Sequence, residues 1–84
     1  MKDLVKKFRE ENKGKWMWYN GSMGIDTALA NNQIEDTREQ AIEAMAWNDN
    51  VTTEEVENDY DNWYYILPVE EILDEYLIDY FSQA

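Results

Sequence analysis

Residues 39–84 carry thirteen carboxylates and neither Lys nor Arg. Moving an ionised carboxylate out of water without a cation costs several kcal/mol. Each of these acids must therefore stay in solvent or reach one of the seven basic residues in the first 38 positions. The apolar positions alone are left to decide which face each element buries.

The pattern is densest at the end of the chain. Val69, Ile72, Leu73, Tyr76, Leu77 and Tyr80 recur at the three-and-four spacing of one helical face, which predicts an amphipathic helix over 68–81. Pro68 suits its first position, where a missing N–H costs nothing. Glu70 and Glu71 would then sit in the first turn, at the positive end of the helix dipole. On such a helix Glu70/Asp74, Glu71/Glu75 and Glu75/Asp79 are like-charge pairs four residues apart, each destabilising by about 0.2–0.5 kcal/mol. Five carboxylates would span about 13.5 Å at 1.5 Å per residue. That density approaches the ~3.4 Å spacing of phosphates along one DNA strand. If the arrangement serves binding, neutralising Glu71, Asp74, Glu75 and Asp79 should leave the fold intact, or gain stability, while abolishing affinity.

Upstream, residues 2–12 read as a helix with Leu4, Val5 and Phe8 on its apolar side and Gly14 as its stop. Lys15–Tyr19 reads as a strand by its aromatic content. Asn20-Gly21 after it is a hairpin signal, so a return strand over 23–27 is expected. Asp26 or Thr27 is the alternative start of a short helical turn ending at Asn31-Asn32. Thr37 with Gln40 opens a helix whose buried face is Ala41, Ile42, Met45 and Ala44, and Asn48-Asp49-Asn50 closes it. Thr52 with Glu55 repeats the capping-box pattern and begins a short helix to Asp59 or Tyr60. Trp63–Leu67 is a second strand, stopped by Pro68. The order α-β(-β)-α-α-β-α lacks a regular βαβ alternation. It predicts an α+β fold in one domain over 1–84, with a small antiparallel sheet of two to three strands against three to four helices. Trp16, Trp18, Trp63 and Tyr65 are expected between sheet and helices.

Several function classes find little support. The chain has no His and no Cys, and Ser22 and Ser82 are its only serines, so nucleophilic and general-base catalysis lack their usual groups and no enzyme is expected. Glu57–Asn62 alternates oxygen ligands but lacks the glycine and closing Glu of a calcium loop, so no metal site is expected. Gly21 and Gly24 do not have the spacing of a phosphate loop, and no cofactor is expected. No apolar run approaches the length of a membrane span, and Met1-Lys2-Asp3-Leu4 lacks a signal-peptide pattern, so the expected location is cytoplasmic.

Charge is segregated. Of the net charge of −12, residues 1–15 contribute six bases against three acids, and residues 16–84 contribute only Arg38 against sixteen acids. A body of this kind is repelled by nucleic acid and anionic membranes and attracted to basic protein surfaces, with self-association left open. The basic first helix is expected to fold back over part of the acidic body. The candidate binding residues are Glu54, Glu55, Glu57, Asp59 and Asp61, followed by Glu70, Glu71, Asp74, Glu75 and Asp79. Tyr60 and Tyr64 are the candidate apolar anchors.

In size, acidity, absence of Cys and α+β organisation, the chain resembles the small phage-encoded DNA mimics. These include anti-restriction proteins, uracil-DNA glycosylase inhibitors and several anti-CRISPR proteins. The resemblance is one of character over residues 39–84 and carries no motif, so no residue roles are transferred. It implies a protein inhibitor that occupies the DNA-binding surface of a host defence nuclease, either a CRISPR effector or a restriction enzyme. The alternative is an acidic adaptor that binds a basic protein without competing for DNA.

Overall fold

A computed structural model describes residues 2–59 and 62–83. The fold is α+β: α1 (Lys2–Glu11), β1 (Trp16–Asn20), α2 (Gly24–Ala30), β2 (Ile34–Glu35), α3 (Arg38–Asp49), α4 (Thr53–Asn58), β3 (Tyr64–Pro68) and α5 (Asp74–Ser82), with a single 3-10 turn at Val69–Glu71. The strands form an antiparallel sheet in the order β2-β1-β3.

The pleat of β1 sorts the molecule into three layers. Met17 and Tyr19 face one side, where they pack with Val5 of α1, Ala28 and Leu29 of α2, and Leu77 of α5. Trp16 and Trp18 face the other, against Ala41, Ile42, Met45 and Ala46 of α3 and Val56 of α4. Strand β3 alternates in the same way, with Leu67 in the first core and Tyr64 and Ile66 in the second. A period of two on the central strand thus produces two separate cores, one on each face of the sheet.

The local signals at 37 and 52 are realised. The Thr37 hydroxyl accepts from the Gln40 N–H at 3.1 Å. Thr52 and Glu55 form the reciprocal capping box, at 3.1 and 3.0 Å. Asn50, in the left-handed conformation at φ 56°, closes α3. Ala46 completes the buried face of α3, and Ala44 is only half-buried.

Two expectations fail. No return strand forms at 23–27; that segment enters α2 instead. The Asn20 side chain accepts from both the Ser22 N–H and the Ser22 hydroxyl, an Asx-type turn that displaces the hairpin turn. The Gly21 N–H bonds the Trp63 carbonyl at 2.9 Å. Gly24 then takes φ +83° at the start of α2, a conformation open to glycine.

The long terminal helix is also broken. Pro68 has ψ 139° and belongs to β3, opposite Trp16. As the last residue of an edge strand it needs no ladder N–H. The Val69 N–H bonds the Lys15 carbonyl, one 3-10 turn follows, and Ile72 and Leu73 return to extended backbone before α5 starts. This path buries Val69, Ile72 and Leu77 together in one core. Of the predicted apolar face, Leu73 (56% exposed) and Tyr76 (43%) remain in solvent.

Candidate functional site

Breaking the terminal helix redistributes its acids. Glu70 and Glu71 lie in the 3-10 turn, and Asp74, Glu75 and Asp79 lie in α5. The Glu70/Asp74 and Glu71/Glu75 pairs no longer share a helical face, so only Glu75/Asp79 remains as an i,i+4 repulsion. The five-carboxylate array at helical rise does not exist.

Two of these acids are structurally committed. Asp74 pairs with Arg9 of α1, whose guanidinium also donates to the Ile72 carbonyl at 2.7 Å and the Glu70 carbonyl at 3.5 Å. The Glu70 carboxylate accepts from the Gly14 N–H at 3.2 Å. The basic first helix therefore does fold onto the acidic body, and it does so at the start of α5. Among the described residues, Glu71, Glu75 and Asp79 are exposed without an ion-pair partner.

The second acidic group sits on the opposite layer, with the sheet between it and α5. The Glu55 carboxylate closes the capping box, and Glu57 pairs with Arg38 at 2.8 Å. Glu54 and Asp59 are exposed and unpaired among the described residues, and Asp61 and Tyr60 lie outside the described residues. The fold adds Glu39 and Glu43 of α3. With Arg38, Ile42, Thr53 and Glu57 they line a shallow groove of about 320 Å³ between α3 and α4. The nine described candidate acids thus divide between two faces and form no common surface.

The aromatic anchors also differ from expectation. Tyr64 is 7% exposed and packs in the α3/α4 core. Burial, followed by the charges of Asp49, Asp59 and Glu55, raises its hydroxyl pKa above the usual tyrosine value. The exposed aromatics among the described residues are Trp47, at 89%, and, far less so, Trp63 and Tyr76. Trp47 lies one turn beyond Glu43 on the solvent side of α3. Asn20 donates to both oxygens of Asp49, two residues from Trp47, and its neighbour Gly21 bonds to Trp63. Trp47 was legible in principle, because Gln40, Glu43 and Trp47 share the polar stripe of α3 while Ala41, Ile42 and Met45 define the opposite one.

No group of three or more His, Cys, Asp or Glu is arranged to hold a metal among the described residues. No helix of the described chain is long and apolar enough to cross a membrane. No protein-family model matches the chain, and no curated protein or solved structure is significantly similar to it.

Proposed function

We propose that this protein is an acidic inhibitor that mimics DNA and occupies the nucleic-acid-binding surface of a partner, with a host defence nuclease of the CRISPR or restriction type as the target class. The observation that carries the reading is the outer face of α3 and α4. Helix α3 exposes Glu39, Glu43 and a nearly naked Trp47, α4 and its C-cap expose Glu54 and Asp59, and Arg38 is the one cation on these elements among the described residues. Carboxylates placed this way form charge-assisted bonds with the Arg and Lys that otherwise hold phosphates. Trp47 adds apolar or cation–π anchoring, which a tryptophan does best when a partner desolvates it. The α3/α4 face is favoured over α5 because Asp74 and Glu70 already have intramolecular partners.

Trp47 also supports a second reading, an adaptor for a basic protein, since nucleic acid offers no equivalent of a protruding indole to imitate. Displacement separates the two. Proteins captured from a host lysate on the immobilised chain are challenged with excess duplex DNA. Release of nucleic-acid-binding proteins supports the mimic, and retention of the complex supports the adaptor. Glu39→Gln/Glu43→Gln/Glu54→Gln and Trp47→Ala should each abolish capture without lowering the melting temperature. Undiminished capture by both variants would remove this face from the site.

A further inference from the structure

The cations not used in ion pairs are as unevenly placed as the acids. Among the described residues Arg9, Lys15 and Arg38 pair with carboxylates, and Lys2, Lys6, Lys7 and Lys13 do not. Lys2 and Lys6, one turn apart on α1, and Lys13, in the turn after it, line up along one side, and Lys7 lies on the other. That row forms one wall of an open groove of about 650 Å³. Val5 and Ile78 supply its apolar surface, with the methylene stems of the lysines beside them. Across the groove, Glu70 and Asp74 are engaged by Gly14 and Arg9, and Glu10 is the remaining acid of the lining.

Apolar walls, a few convergent charges and a volume of this size are the features of a small-molecule site. The sign of the free charge selects an anion. The size of the anion follows from screening, because at physiological salt a charge feels its surroundings over only about 8 Å. A small ligand in the groove therefore senses chiefly the lysine row. An acidic protein, or a second copy at −12, would bring its whole charge against the acidic body of this chain.

We propose that the groove between α1 and the start of α5 binds a small amphiphilic carboxylate, with its alkyl chain on Val5 and Ile78 and its head group among Lys2, Lys6 and Lys13. This site faces away from the α3/α4 surface, and its test does not depend on any partner of that surface.

The test is an amide-shift titration of the whole chain with sodium decanoate below its micellar concentration. Saturable shifts confined to α1 and residues 70–78 are expected. Lys2→Gln/Lys6→Gln and Ile78→Asp, all at exposed positions, should each weaken binding at least ten-fold while the far-ultraviolet spectrum stays unchanged. Lys7→Gln, on the other side of α1 beside Leu4 and Phe8, should bind as the parent does. Decyltrimethylammonium, with the same chain and the opposite charge, should leave the groove resonances unmoved. The proposal is overturned by decanoate shifts elsewhere, by no saturation, by equal binding to the groove variants, or by groove shifts with the cationic amphiphile. Concentration-dependent dimerisation that Lys6→Glu abolishes would also overturn it, since a second copy would then cover the groove.

Discussion

Replacing Arg9 with Ala tests whether α1 is held onto the body by one guanidinium. The Arg9 side chain is 28% exposed and donates to the Ile72 carbonyl at 2.7 Å. A hydrogen bond from a charged donor contributes about 1.5–3 kcal/mol, and the carbonyl it leaves has no intramolecular replacement. The Asp74 carboxylate is 71% exposed, so that ion pair adds only about 0–1 kcal/mol. The expected loss is about 2–4 kcal/mol, a large share of the roughly 5–10 kcal/mol that stabilises a domain of this size. At ~4–8 °C per kcal/mol, the melting temperature should fall by about 8–30 °C. Asp74→Asn removes only the exposed pair and should cost less than about 8 °C on the same scale. Arg9→Lys should resemble Arg9→Ala, because a point charge cannot reach two carbonyls and a carboxylate at once. Thermal melts at low and at 0.5 M salt (about three times physiological ionic strength) provide the readout. Equal losses for Asp74→Asn and Arg9→Ala, both vanishing in salt, would falsify the carbonyl clamp and leave a surface ion pair in its place.

Other consequences follow from single contacts. An added Cβ at Gly21 would lie 2.7 and 2.8 Å from ring carbons of Trp63, so Gly21→Ala should cost about 1–3 kcal/mol. The same substitution in a Trp63→Ala background should cost much less, and an unchanged cost in denaturant melts would mean the ring is not the obstacle. The raised pKa of Tyr64 means that the folded state holds the phenolic proton more tightly than the unfolded chain. Its contribution is therefore intact below about pH 10 and is lost as the pH rises past that value toward the folded pKa. Melts between about pH 8 and 11.5 should show a shallower alkaline loss for Tyr64→Phe than for the parent; parallel curves would count against this. Asp79→Asn relieves the surviving repulsion with Glu75 and should gain about 0.2–0.5 kcal/mol, whereas Asp74→Asn should lose stability. The same sign of change at both positions in urea titrations would contradict the division between structural and free acids on α5.

Much of the architecture was legible in the residues. The caps at Thr37 and Thr52, the stop at Gly14 and the aromatic strands read over 15–19 and 63–67, each ending one residue short of the observed strand, depend on interactions within a few positions, and such interactions survive in nearly any tertiary setting. The solvent exposure of most described acids from residue 39 onward was equally determined, because the segment contains no cation to compensate for their burial; half-buried Asp49, held by Asn20, is the exception. Tertiary packing decided the rest. Helical spacing over 69–80 was satisfied in the sequence, yet Pro68 pairs with Trp16 in the sheet and the Val69 N–H bonds the Lys15 carbonyl, so the regular helix starts only at Asp74. Asn20-Gly21 carried the pattern of a hairpin turn, but Asn20 found Ser22 and Asp49, and the chain turned into α2. Which acids are free could not be read from their spacing, since that depended on Arg9 reaching across to Asp74 and on Arg38 reaching Glu57. The alternation of β1 placed α4 and α5 on opposite faces of the sheet. Two acidic clusters close in composition thereby became surfaces pointing in different directions, because adjacent residues on a strand send their side chains to opposite sides.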